Sequence, residues 1–199
     1  MARGLLWFLS GTGLLSRPAL LVTALVFLAG GVLGALSATQ LEPPAAAELK
    51  AWLEGSLEPP HFDRALAASV GQYAGTIGAL YLSGLTAIGI PVLLAIVFLR
   101  GLAAGFTVAF LVREMSWSGV WLVLTCLLPP ALVYFPALVA AGAAGLSFAL
   151  LVLRHCWRGG ASLWPGFIAY SAIMLVFGLS GLGAGLVAAA LPAVTLRWL

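Results

Sequence analysis

The chain has 199 residues, of which 63% are hydrophobic and 8% charged, with a mean hydropathy of +1.14. About a quarter of a soluble domain is charged, so this chain has too little polar surface to cover a fold in water, and its composition calls for lipid as solvent. The net charge of +3 does not mark a nucleic-acid partner: eight of the nine basic residues are arginines, widely spaced and forming no patch with interleaved aromatics.

In chain order, Arg3 and Arg17 precede a first apolar block, 18–37. Its 20 residues match the ~20 needed to cross a ~30 Å hydrocarbon core and exceed a signal peptide's apolar region. It reads as a retained span, with signal cleavage near Gly34 to Ala38 as the alternative. The long polar stretch 38–64 follows and holds Glu42, Glu48, Glu54, Glu58 and Asp63, five of the six acidic residues. Between Pro43-Pro44 and Pro59-Pro60, residues 45–57 are expected to form a short amphipathic helix with Leu49, Trp52 and Leu53 on one side.

Four further apolar blocks are 65–85, 88–112, 120–153 and 164–191. Block 120–153 is too long for one straight crossing, about 50 Å at the helical rise, and Pro129-Pro130 interrupts it. A proline pair removes donors and clashes with the preceding turn, so a half-helix or re-entrant piece is expected before Pro129 and a full span after it. Block 164–191 is open to a break near Gly178 to Gly185 or at Pro192. A second crossing in either block raises the total from five to six and moves the C-terminus to the other side. The expected fold is an all-α transmembrane bundle of about five spans, one membrane domain over 1–199, with 38–64 as an extracytoplasmic loop.

Arginines keep short loops cytoplasmic. Arg3 and Arg17 before the first span, with Arg154 and Arg158 after the fourth, place the N-terminus inside and the acidic loop outside. Arg113 is a misfit, since this count puts it outside. Trp7, Trp52, Trp117, Trp121, Trp157, Trp164 and Trp198 all fall in loops or at block ends, the headgroup level that Trp prefers.

Chemistry is sparse. His61 and His155 lie in loops, no acidic residue lies within a block, and Cys126 and Cys156 show no metal spacing; Cys126 reads as a small packing residue. No nucleophile and base, proton relay, zinc cluster or cofactor site is visible at membrane depth, so the chain is expected to be no enzyme and to need no cofactor. Small-residue pairs recur at four-residue spacing: Gly30/Gly34, Gly71/Gly75, Gly101/Gly105 and Gly181/Gly185. They read either as packing within the bundle or as a face for self-association or a partner. Arg100, near the centre of block 88–112, is the exception to the apolar pattern. Either the helix breaks at Arg100-Gly101 and frees the guanidinium to reach the interface, or Arg100 marks a polar cavity or partner contact, with backbone carbonyls, Gln72, Tyr73 or water as its partners.

Residues 89–115 read GIPVLLAIVFLRGLAAGFTVAFLVREM. The Gly-x-Pro entry at Gly89 and Pro91, the Arg100-Gly101 pair and the run from Gly105 and Phe106 to Val112 resemble the third segment of the stage II sporulation protein M family. Residues 27–35 resemble its first span. Gly71, Gln72, Tyr73 and Gly78 resemble the polar start of its second. Leu128-Pro129, Pro136-Ala137 and the stretch 143–148 with Gly145 resemble its fourth. The likeness runs from about residue 20 to 191. Many non-sporulating relatives carry a His-Gly and a Glu where this chain has Pro130-Ala131 and Tyr134, which points to the sporulation branch. The resemblance implies a membrane scaffold at the sporulation septum and engulfing membrane. That scaffold recruits two peptidoglycan hydrolases, stage II sporulation proteins D and P, and leaves the bond-breaking to them. It makes Gly89, Pro91, Arg100, Gly101, Gly105, Phe106, Pro129, Pro136 and Gly145 the candidate structural or partner-contact residues. The residues alone leave open a transporter or channel subunit, which broken helices and a central Arg100 would also suit.

Overall fold

A computed structural model describes residues 16–42, 44, 47–49, 51, 62–86, 88–158 and 164–195. Arg3, Trp7, Trp52, Leu53, Glu54, Glu58, His61, Trp198 and the prolines 43, 59 and 60 lie outside these residues, as do the side chains of Asp63, Cys126, Cys156, Trp157 and Arg158. Among the described residues there is no strand. The elements are α1 (Arg17–Thr39), α2 (Phe62–Gly84), α3 (Gly89–Leu122), a π-helical turn (Val123–Leu127), α4 (Leu128–Arg158) and α5 (Trp164–Thr195).

Four helical stretches are long and apolar enough to cross a membrane: Arg17–Thr39, Gly89–Glu114, Leu128–His155 and Trp164–Ala188. Large apolar side chains such as Leu21, Leu25, Leu28, Leu132, Leu175 and Leu179 stand exposed around the bundle, where lipid would meet them. α2 is more polar, but it lies antiparallel to α5 along its length, with Gly84 at Tyr170, Ile77 at Gly178 and Gly181, and Val70 at Gly185. It therefore occupies the same depth as its neighbour, and the hydroxyls of Thr76, Tyr81 and Ser83 find partners within the bundle.

α1 and α3 run parallel and form the most extensive helix pair. Gly30 and Gly34 meet the backbone at Phe98 and Leu102, and Gly101 and Gly105 meet it at Phe27 and Gly31. A Cβ at any of the four would overlap a carbonyl oxygen of the facing helix. These two glycine pairs are therefore packing within one chain. Gly181 and Gly185 likewise face Tyr73 and Val70 on α2, whereas a Cβ on Gly71, Gly75 or Gly78 would meet nothing within 4 Å.

α4 is the central helix: residues 141–146 are all buried, and it packs on every other helix of the bundle. Gly142 meets Val97 of α3 and Thr23 of α1, and Gly145 meets Leu93 of α3 and Met174 of α5. On the α5 side Tyr170 is sandwiched between Tyr81 and Phe148, with ring centroids 5.3 and 4.6 Å away, and its hydroxyl donates to the carbonyls of Tyr81 (3.1 Å) and Leu80 (3.3 Å).

One expectation changes, and two alternatives left open by the sequence resolve. α3 continues through Arg100 and Gly101 with no break, because Gly101 serves close packing rather than termination. The interruption at Pro129-Pro130 is a π-helical turn feeding α4, not a half-helix or re-entrant piece. Both prolines follow that turn directly, where its wider hydrogen-bond spacing interrupts the i→i−4 pairing that prolines cannot complete. α5 is unbroken through Gly178 to Gly185 and past Pro192. The excess length of the fourth block is absorbed differently. Ala103 and Leu127 line one cavity, whereas a straight helix would hold them about 36 Å apart, so the chain turns back between Glu114, the end of the apolar stretch, and Val123. Trp117 and Trp121 lie exposed in this reversal.

The helices alternate in direction, so Arg17 and Arg154 share one face, tied together by Ser16 Oγ and Ser147 Oγ at 3.2 Å. Arg113 and the loop after α1 share the other. There Arg113 donates to the carbonyls of Ala38 (2.9 Å) and Thr39 (2.8 Å), the open C-terminal acceptors of α1, and pairs with Glu114 at 3.6 Å. The misfit arginine is a helix cap. Of the expected loop helix, Ala47, Glu48, Leu49 and Ala51 are helical, and Leu49 packs with Leu41 and Phe106 around Ala38 and Phe110.

Gly105→Val should force α1 and α3 apart and destabilise the bundle by about 3 kcal/mol or more, read as a lowered unfolding midpoint in detergent. Gly71→Ala, which has open space, should leave it unchanged or slightly raised.

Candidate functional site

The polar chemistry at membrane depth gathers around Arg100. It lies eleven residues into the apolar stretch Gly89–Glu114, roughly 16 Å from its start at the helical rise. Its guanidinium donates across to α2, to the Gln72 carbonyl at 3.3 Å and to Thr76 Oγ1. Thr76 in turn donates to the Gln72 carbonyl at 2.7 Å. One turn of α2 thus presents two acceptors to one cation.

Beside this cluster a cavity of about 230 Å³ opens between α2, α3 and the start of α4. Arg100, Gln72, Tyr73 and Tyr134 supply its polar wall; Ala104, Val108, Leu127 and Phe135 are among its apolar lining. Tyr134 is only 3% exposed, its ring meets the edge of Tyr73 at 4.4 Å, and its hydroxyl makes no hydrogen bond within 3.5 Å. The cavity is therefore cationic at one point, carries a few neutral polar groups, and is mainly apolar elsewhere.

Among the described residues no carboxylate pairs with this cation. The acidic residues nearest in sequence are Asp63 at the start of α2 and Glu114 towards the end of α3. Among the described residues no three His, Cys, Asp or Glu side chains gather as metal ligands would.

The structure distributes the other candidates by role. Gly89 is buried where α3 begins, its N–H bonded to the Thr86 carbonyl (3.1 Å), and a Cβ there would strike Ser83. Pro91 follows in the first turn, where proline is tolerated. Together they make the tight corner from α2 into α3. Gly101 and Gly105 face α1, and Phe106 stacks on Phe110 with centroids 5.9 Å apart. Pro129 opens α4, Pro136 lies exposed inside it, and Gly145 is in the core. Only Arg100 among the nine lines the cavity. Gln72 and Tyr73, named as possible partners, do join it. Thr76 was missed because a threonine in a helix carries no distinctive signal. Tyr134 was noted only as a substituted position, and its approach to Arg100 depends on the α3–α4 reversal.

A family model described as stage II sporulation protein M matches residues 23–192, which contain the cavity and all nine candidates. No curated protein matches the chain. No solved structure matches it either.

Removing the unbonded hydroxyl with Tyr134→Phe should leave the bundle as stable or raise its stability by about 1 kcal/mol. A fall of that size in a detergent unfolding assay would mean the hydroxyl is bonded in the folded protein.

Proposed function

The chain belongs to the stage II sporulation protein M family, and on that premise we propose that it is the membrane scaffold of the engulfment machine, holding stage II sporulation proteins D and P at the septum. It is a sporulation-related membrane protein; the scaffold role is the finer reading. The observation that carries this reading is the family match over 23–192, which covers the bundle from within α1 to within α5. In this role the chain makes and breaks no bond, and the hydrolases supply the catalysis. Its N-terminus faces the cytoplasm, in keeping with Arg17 and Arg154 at one face of the bundle. The loop after α1 then faces the wall compartment, where the hydrolases work.

A strain lacking the chain should arrest in engulfment, and the tagged chain extracted in mild detergent should co-purify both hydrolases. Completed engulfment in the deletion strain would overturn the assignment.

The Arg100 cavity favours a second reading, a channel or transporter subunit. On that reading liposomes carrying the purified chain pass a small anion, and Arg100→Ala abolishes the flux. The scaffold reading expects no flux from either protein.

A further inference from the structure

We propose that the Arg100 cavity receives a carboxylate carried at mid-membrane by a transmembrane helix of a partner protein, which lies in the groove between α2 and α3. The proposal deepens the scaffold reading and rests on it for the existence of a membrane partner.

Charge is the first argument. Arg100 is held by a carbonyl and a hydroxyl, both neutral. Glu114 is fourteen residues along α3 from it, and Asp63 thirteen residues along α2 from Thr76, about 20 Å in each case at the helical rise. A cation at this depth is costly unless paired, and ionisable residues inside membranes pair with one another or with backbone carbonyls; the Gln72 carbonyl takes one guanidinium bond but leaves the charge uncancelled. Among the described residues no carboxylate lies at that depth, so the complementary group comes from outside the bundle.

Tyr134 narrows the ligand. Its hydroxyl is buried, makes no hydrogen bond within 3.5 Å although Thr76 lies beside it, and is part of the same cavity wall as Arg100. A buried donor without an acceptor is rare in a folded protein. A carboxylate has two oxygens, one to take a proton bond from the guanidinium and one from the phenol. The rest of the wall is mainly apolar, and about 230 Å³ admits a side chain far more readily than a whole lipid.

The approach to the cavity suits a helix. Ala68, Gln72 and Gly75, at i, i+4 and i+7 of α2, are exposed, and so are Ala103 and Thr107 of α3. Gln72, Ala103 and Thr107 also line the cavity, so its rim is the rim of the groove. Small side chains on both edges let a third backbone come close, as Gly30, Gly34, Gly101 and Gly105 already do inside the bundle. A glutamate or aspartate near the centre of the incoming helix would then meet Arg100.

The test places a photoreactive benzophenone side chain at Ala103 of the full-length chain in sporulating cells, with the cross-linked peptide mapped by mass spectrometry. The expected product is a hydrophobic segment of one membrane protein with Asp or Glu near its middle. Its yield should fall at least tenfold with Arg100→Gln, survive Arg100→Lys, and fall again when the partner's acid becomes its amide. Unfolding midpoints of the two Arg100 variants, measured in detergent, show whether both still fold. Cross-links to lipid alone, to a segment with no acid, or of equal yield in folded Arg100→Gln would overturn the proposal. Hydrolases that co-purify equally with wild type and Arg100→Gln would leave the scaffold reading standing and remove this one. Wild-type chain that captures an acidic helix of some other protein and no hydrolase would do the reverse.

Discussion

In hydrocarbon, burying one apolar side chain against another gains little over burying it in lipid tails, so helices associate through the closeness of their backbones. The α1–α3 pair shows this constraint most directly. Four glycines spaced by four residues remove every side chain that would hold the two helices apart, and carbonyl oxygens occupy the space that Cβ atoms would need. The remaining helices pack around α4, whose stretch 141–146 contains only Ala, Gly and Leu. That composition lets one central helix touch four neighbours.

The same solvent dictates what happens to polar groups. Each must find its acceptor inside the protein, since lipid offers none. Thr23, Ser37, Thr76, Ser83 and Thr107 bond carbonyls one turn back on their own helices. Tyr170 spends its hydroxyl on α2. Arg113 reaches the open end of α1. Against this background of satisfied groups, the Tyr134 hydroxyl and the uncompensated Arg100 charge stand apart, and they do so in one cavity.

Much of the bundle was legible from hydropathy, because span length and apolar composition follow directly from the thickness of the bilayer. The block ends at 18–37 and 164–191 fall within a few residues of α1 and α5. What stayed hidden depended on rotation and reversal. Pro129-Pro130 was legible as an interruption, but its form was not: a proline pair breaks a regular helix interior yet is accommodated directly after a π-helical turn, and sequence alone does not say which form the interruption takes. Gly101 beside Arg100 likewise read as a possible break, because a glycine that ends a helix and one that admits a neighbour look alike. Arg113 looked misplaced by a rule that counts charges without asking whether each has already been used as a cap. Thr76 joins the site through the packing of α2 on α3, and Tyr134 only after the chain has folded back beyond Glu114.

The adjacent pair Arg100-Gly101 is best understood as one device. Successive residues on a helix point about 100° apart, so a residue fixed against one neighbour determines where the next one points. Gly101, with Gly105 one turn on, locks one face of α3 onto α1 at backbone distance. With α3 fixed against α1, Arg100 is directed to α2, where Gln72 and Thr76 present their oxygens. A bulky residue at position 101 would therefore do more than loosen α1. It would turn α3 about its axis and carry the guanidinium away from Thr76 and from the cavity wall that Tyr134 shares.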